Sequence, residues 1–254
     1  PEGRVFLEHA KVVLTDADRA KEAVRHSATE PQGQVVLGLP TTVALAATVP
    51  IVQACRERYP RIQLQVIEAY SGFLREWLQM GRLDLALLFG DEPDPDLLKR
   101  VLLEEPLALV APPGAAALPR ALRLSHLQDM ELVLPGREHG LRRIIDAACA
   151  QQGIALNVVA EIDSLTSVKK AVAAGVGNTI LSESSVMEEV ANGQLQAVTI
   201  EEASMRRRVV CATRITRPTT QASAAVIGLA TDLIRGMVGT GAWPGQWIGE
   251  IRSR

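Results

Sequence analysis

The chain has 254 residues, which is enough for one large domain or two small ones. Its formal net charge is -2, so we expect no nucleic-acid binding by these residues themselves. Aromatic residues make up only 3%, so the core must be aliphatic, which suits helices packed on a parallel sheet. No run approaches the roughly 18 consecutive apolar residues of a membrane helix, and no secretory signal is recognisable.

The first predicted element is one long helix from residue 2 to about residue 27. Apolar residues recur in it at alternating spacings of four and three, the 3.5-residue period of a coiled coil. We interpret it as a dimerisation helix, although an amphipathic helix lying on its own domain would show the same pattern. Because the chain opens at Pro1 within this pattern, we expect a preceding segment to be missing. The seam residues are Phe6, Ala10, Val13, Ala17, Ala20 and Val24.

A strand–helix repeat follows a break marked by Pro31 and Gly33. Its alternation predicts a parallel sheet with right-handed crossovers. The predicted strands cover residues 34–39, 62–68 and 83–89, and the helices cover 43–58 and 71–80.

A second unit of the same kind begins after the apolar strand at 107–111. Its predicted strands cover 131–134, 157–162 and 179–181, and its helices cover 141–152, 164–174 and 184–191. A strand at 209–213 and a helix at 220–238 complete the pattern. The segment after residue 239 predicts no element, and Trp243 and Trp247 in it are candidates to cover an apolar surface.

The common catalytic and metal-binding motifs are missing from the sequence. The four histidines show no ligand spacing, and Gly175-Val176-Gly177 follows a helix rather than a strand, so it does not predict a dinucleotide site. We interpret the pair Glu104-Glu105 and the run Arg206-Arg207-Arg208 as solvated strand ends. The widely spaced Cys55, Cys149 and Cys211 predict core residues in a reducing, cytoplasmic environment. We therefore expect no enzyme, no metal and no cofactor.

Polar residues recur at predicted helix N-termini directly after strands. Thr41, Thr42 and Ser71 hold such positions in the first unit, and His139 and Thr166 hold them in the second. Ligands of open parallel sheets bind beyond the carboxyl ends of the strands, where helix N-termini favour anions. Any one of these side chains could instead be only an N-cap. Their concentration at equivalent places in both units favours a cleft for a small polar or anionic molecule.

Four motifs resemble the effector-binding region of LysR-type transcription regulators. They are Gly33 to Leu39 followed by Thr41-Thr42, Tyr59-Pro60 to Val66, Gly81-Arg82-Leu83-Asp84-Leu85-Ala86-Leu87, and Val172 to Leu181 with Gly175 and Gly177. The opening residues resemble the linker helix that follows the winged helix-turn-helix of that family. Residues 38–77 resemble its nitrogen-assimilation-control branch.

The resemblance implies an α/β fold with an N-terminal coiled-coil linker helix and a periplasmic-binding-protein-like pair of Rossmann-like subdomains joined by two crossover strands. The linker would be residues 1–30, subdomain I residues 34–109 and 209–238, subdomain II residues 110–208, and the tail residues 239–254. It also implies a homodimer or homotetramer that binds promoter DNA through a missing N-terminal domain and has no membrane partner.

The family's effector pocket, carried over by position, implies hydrogen bonds to a small effector. One departure is Ser182, where many members of the family have proline. The implied effector-binding residues are Thr41, Thr42, Ser71, Phe89, His139, Gly140 and Thr166. The alternative function is a solute-binding protein of a transporter, which would use the same cleft but needs a signal peptide and has no use for a coiled-coil arm.

Overall fold

The computed structural model describes residues 30–115 and 122–249, together with the helical positions Gly3, Phe6, Ala10 and Val13. The predicted seam residues Ala17, Ala20 and Val24 lie outside the described residues. Phe6 and Val13 are 76% and 67% exposed, so neither side chain is buried against its own chain.

The first lobe, lobe I, begins with the predicted strand–helix repeat. Strand β1 pairs in parallel with β2 on one side and with β3 on the other, which confirms the predicted parallel sheet. Strands β1 and β3 are short apolar runs, as expected where both faces of a sheet are covered, whereas β2 at the edge alternates apolar residues with exposed glutamines. The elements are β1 (Gly33–Leu39), α1 (Thr41–Arg58), β2 (Ile62–Glu68), α2 (Ser71–Gln79) and β3 (Leu85–Phe89).

The second lobe, lobe II, is entered by a long strand, β4 (Leu97–Ala111). This strand begins well before the predicted start at Leu107. Its first part was not predicted because Lys99 and Arg100 interrupt the apolar pattern and the strand pairing is irregular at Val101–Leu103. The remaining elements of lobe II are β5 (Glu131–Leu134), α3 (Gly140–Gln151), β6 (Asn157–Glu161), α4 (Leu165–Ala173), β7 (Thr179–Ser182), α5 (Met187–Ala191) and β8 (Gln196–Thr199). Strand β8 is short and half-buried, and the sequence analysis missed it.

Strand β9 (Arg206–Arg214) returns the chain to lobe I. It pairs antiparallel with β4 over Leu97–Pro106 and with β3 on its other side. Beyond Pro106, β4 pairs instead with β7 and β8 of lobe II. The two lobes are therefore joined by one antiparallel pair of strands, with a separate apolar core on either side.

Helix α6 (Gln221–Thr240) closes lobe I. The hydroxyl of Thr220 caps it by accepting a hydrogen bond from Ser223 N at 3.0 Å, and Gly241 ends it in the left-handed conformation. Among the helices that the structure describes, α6 alone is long and apolar enough to cross a membrane, although its sequence contains no uninterrupted apolar run of that length. Its residues Val226 and Ile234 are buried in the lobe I core, which accounts for the apolar composition.

The segment after α6 is part of the fold. Trp243 is only 1% exposed, and β10 (Gln246–Trp247) pairs antiparallel with Leu103 and Glu104 of β4. The sequence analysis predicted no element here, because two strand residues are too few to show a pattern.

Candidate functional site

The two lobes meet at the N-terminal ends of α1 and α2, and we call this region the interlobe site. Lobe I contributes Thr42, Ser71 and Phe89, and lobe II contributes His139 and Asp163. Glu105 and Arg207 lie at its base, on the paired strands β4 and β9.

Arg207 is the central side chain of the interlobe site. It is 5% exposed, and its Nε donates a hydrogen bond to Glu105 Oε1 at 2.5 Å. Its Nη2 donates to Thr42 Oγ1 at 2.9 Å, and its Cζ lies 3.7 Å from the centre of the Phe89 ring. The guanidinium thus joins β9 to α1 and β3 through a hydrogen bond and a cation–π contact. The interpretation of the Arg206–Arg208 run as a solvated strand end is wrong for this residue.

Glu105 is the buried counter-ion of Arg207. It is 1% exposed, whereas the sequence analysis expected it in solvent. Its Oε2 accepts hydrogen bonds from Trp243 Nε1 at 2.7 Å and from Ser184 Oγ at 3.1 Å. A carboxylate can remain charged in a protein interior only when a cation and hydrogen-bond donors replace water. Arg207, Trp243 and Ser184 supply both.

The polar residues at the helix starts have different roles in the two lobes. His139 Nδ1 caps α3 by accepting from Leu141 N at 3.1 Å, and Ser164 Oγ caps α4 by accepting from Ser167 N at 3.4 Å. The residues that precede α1 and α2 provide no side-chain cap. Ser71 Oγ instead accepts from Phe89 N at 3.4 Å. The capping interpretation is therefore correct for His139 but does not explain Thr42 or Ser71, and the first turns of α1 and α2 lack a side-chain acceptor.

Tyr70 connects the lobes at the edge of the site. Its hydroxyl donates to the backbone oxygen of Asp163 at 3.1 Å, and the centre of its ring lies 5.1 Å from that of His139, edge to face. Asp163 is held in turn by Gly136 N, which donates to its Oδ1 at 2.9 Å. Burial and the nearby Asp163 raise the pKa of Tyr70, so its hydroxyl keeps its proton and remains a donor.

His139 has a pKa below its ordinary value. Burial is the largest cause, the positive charge of Arg207 is the second, and Arg143 also contributes, while Asp163 opposes them. The charge of Arg207 therefore reaches His139 across the interlobe site. His139 is therefore neutral near pH 7, and its Nδ1 lone pair remains free to cap α3.

Thr42 and Phe89 contact Arg207 directly, Ser71 joins them through the backbone of Phe89, and the charge of Arg207 acts on His139. Thr41 begins α1, Gly140 begins α3 next to His139, and Thr166 is exposed in the first turn of α4.

The sequence analysis missed Tyr70, Glu105, Asp163 and Arg207 as parts of the site. One signal was present: Glu104-Glu105 and Arg206–Arg208 lie at the junctions of the two crossover strands and carry opposite charges. In the structure they are directly opposite each other, with Glu105 paired to Arg207.

The metal-ligating and thiol side chains of the described residues are dispersed or buried. Within residues 30–115 and 122–249, no three His, Cys, Asp or Glu side chains converge as metal ligands. Cys55, Cys149 and Cys211 are all buried, which confirms their expected place in the core. Burial raises the pKa of Cys149 and of Cys211 to about 11, so these thiols are poor nucleophiles at neutral pH.

Comparison with known proteins agrees with the motifs. The family model described as the LysR substrate binding domain matches residues 28–235. BbuR of Bordetella bronchiseptica, an HTH-type transcriptional regulator, is 31% identical over 252 residues, which cover 98% of this chain and 75% of that protein. The nitrogen assimilation regulatory protein Nac of Klebsiella aerogenes is 30% identical over 207 residues, which cover 80% of this chain and 67% of Nac.

Solved structures show the same fold at lower identity. A Corynebacterium glutamicum OxyR mutant has a TM-score of 0.75 at 23% identity and covers 98% of this chain and 81% of its own. The CcmR regulatory domain of Synechocystis in complex with 2-PG has a TM-score of 0.73 at 21% identity, covering 81% and 99%. The effector-binding domain of QuiR in complex with shikimate has a TM-score of 0.72 at 19% identity, covering 81% and 98%. The chain belongs to the LysR family and contains the ligand-sensing regulatory domain of a LysR-type transcription regulator.

Proposed function

We propose that the interlobe site binds a small polar or anionic effector and that Arg207 is its main anchor. A guanidinium has five N–H donors, of which Nε serves Glu105 and Nη2 serves Thr42. The remaining donors can bind a carboxylate or phosphate oxygen. The buried position of Arg207 between α1, β3 and His139 is the observation on which this proposal rests.

The effector would contact both lobes. From lobe I we propose Thr41, Thr42, Ser71 and Phe89 as its contacts, and the open first turns of α1 and α2 would add backbone N–H groups and the positive ends of helix dipoles. The contacts proposed for lobe II are His139, Gly140 and Thr166. QuiR and CcmR were solved with shikimate and 2-PG, and a polar ligand of similar size would suit this site.

The wider function proposed is that of a cytoplasmic regulator that forms a homodimer or homotetramer and binds promoter DNA through a preceding domain. The similarity to BbuR and Nac supports DNA binding. The exposure of Phe6 and Val13 at helical positions supports pairing of the linker helix with another copy. No catalytic role is proposed.

We propose that the subdomains divide near residues 109 and 209, with the linker at 1–30 and the tail at 239–254. These boundaries fall on β4 and β9, the strands that pass between the two cores. Rotation about this strand pair would change the geometry of the interlobe site.

The proposed function is tested by screening small anions and one zwitterionic amino acid for a rise in the melting temperature of the chain. The probes are succinate, benzoate, glycine and inorganic phosphate, and calorimetry then measures the dissociation constant of the best probe. Arg207→Lys should weaken its binding about tenfold or more, because a planar two-nitrogen contact and a charge-assisted bond are lost. Arg208→Lys is the matched control, since Arg208 pairs with Asp91 and Glu104 at the surface. Equal affinities for the Arg207→Lys variant and wild type would refute the anchor.

A further inference from the structure

We propose that the C-terminal segment Trp243–Gly249, here called the strap, positions Arg207 by holding its counter-ion Glu105. Trp243 and Glu105 are then positioning residues, which need not touch the effector. Their part in ligand binding depends on the function proposed for the interlobe site.

The strap is bound to β4 by backbone hydrogen bonds at the place where this strand leaves lobe I. Gln246 and Trp247 pair with Glu104 and Leu103, and the backbone N–H groups of Ile248 and Gly249 both donate to Leu102 O, at 2.9 and 3.0 Å. Gly245 permits this approach, because a Cβ at that position would lie 2.8 Å from the backbone oxygen of Glu104. The strap therefore covers the edge of the crossover strand that carries Glu105.

Trp243 connects the strap to the interlobe site. Its indole is buried in the lobe I core, and its N–H donates to the Oε2 atom of Glu105 at 2.7 Å. The other carboxylate oxygen, Oε1, receives the Nε–H of Arg207. One carboxylate thus has a tryptophan on one oxygen and the arginine on the other.

This arrangement limits the positions that Arg207 can adopt. A carboxylate held on one side only could rotate about its terminal bond, and the arginine would follow it or lose the hydrogen bond. With Trp243 and Ser184 both on Oε2, the Oε1 atom is fixed toward β9. Arg207 then keeps its Cζ over the Phe89 ring.

The strap also offers a matched pair of tryptophans for a test. Trp247 lies on the same segment and is half-buried, but its indole N–H has no hydrogen-bond partner among the residues described. Replacing either tryptophan by phenylalanine removes one indole N–H from the strap. Only at Trp243 does this remove a contact with Glu105.

The experiment follows the Nε–H signal of Arg207 by NMR in the 254-residue chain labelled with ¹⁵N-arginine, and Arg207→Lys identifies the signal by its loss. Trp243→Phe should speed solvent exchange of this Nε–H about tenfold, the effect of one charge-assisted hydrogen bond. Trp247→Phe should leave the exchange rate unchanged. In a Glu105→Gln background, Trp243→Phe should have little further effect, because its influence passes through the carboxylate.

Three outcomes of the exchange experiment would overturn the strap proposal. Exchange that remains slow in Trp243→Phe, or that speeds up equally in both tryptophan variants, overturns the strap proposal. An additive effect of Trp243→Phe in the Glu105→Gln background also overturns it, since a cavity in the core would act independently of Glu105. The exchange measurement needs no effector, so it stands even if Arg207→Lys shows that the anchor proposed for the effector is wrong.

Discussion

Replacing Arg207 by methionine should be far more damaging than the same change at its neighbour Arg208. The variant keeps most of the apolar length of the side chain but leaves the buried Glu105 without a cation. Removing one partner of a buried ion pair costs about 3–5 kcal/mol of unfolding free energy. Trp243 and Ser184 still donate to Glu105, so we expect a loss at the lower end of this range.

Urea denaturation at neutral pH measures this loss, with Arg208→Met as control. Arg208 pairs with Asp91 and Glu104 at the surface, where water screens the charges, so its replacement should leave the midpoint almost unchanged. Adding Glu105→Gln to Arg207→Met should restore most of the stability, because the neutral amide needs no counter-ion. Equal losses for the two arginines, or no recovery in the double variant, would contradict the assignment of a buried ion pair.

Three further predictions concern the ligand, the thiols and the linker helix. Binding of an anionic probe should tighten as the pH falls toward the lowered pKa of free His139, because a bound anion would favour the protonated imidazole. Calorimetry should find most of this pH dependence lost in His139→Asn. Hydrogen peroxide at neutral pH should leave the described cysteines unmodified, since they are buried, and mass spectrometry should detect their oxidation only after unfolding. The pair Phe6→Asp and Val13→Asp should lower the solution mass measured by light scattering, whereas Val176→Asp, at an exposed apolar site in lobe II, should not.

The fold was largely predictable because most of its strands and helices show a recognisable pattern among neighbouring residues. Short aliphatic runs between helices that start with Thr or Ser and stop at Gly predict parallel strands, and β1, β2 and β3 pair in this way. The long strand β4 was predicted only at its end, over residues 107–111 of Leu97–Ala111. Its first part pairs with β9 and β10 and leads from one lobe to the other. Lys99 and Arg100 in this part interrupt the alternation of apolar and polar residues that predicts an ordinary strand.

The interlobe site was predictable only where it lies at element ends. Thr42, Ser71, Phe89 and His139 are next to strand and helix boundaries, which the pattern marks. Glu105 and Arg207 lie within strands that are remote in sequence, and a charged residue in a strand is usually solvated. Their burial follows from strand register and from Trp243, which no local pattern reveals.

The position of the ion pair suggests how lobe movement and ligand binding are coupled. Glu105 and Arg207 are direct partners on two paired strands, so a rotation of lobe II about this pair leaves their mutual contact nearly unchanged. The same proposed rotation would change the distance from Arg207 to His139 and would strain or break the hydrogen bond from Tyr70 to Asp163. A ligand shifts the equilibrium between two states only when it binds them unequally. The proposed effector, held by Arg207 on one side and by His139 on the other, would meet this condition, because its anchor would stay with the strand pair while its second contact would move with lobe II.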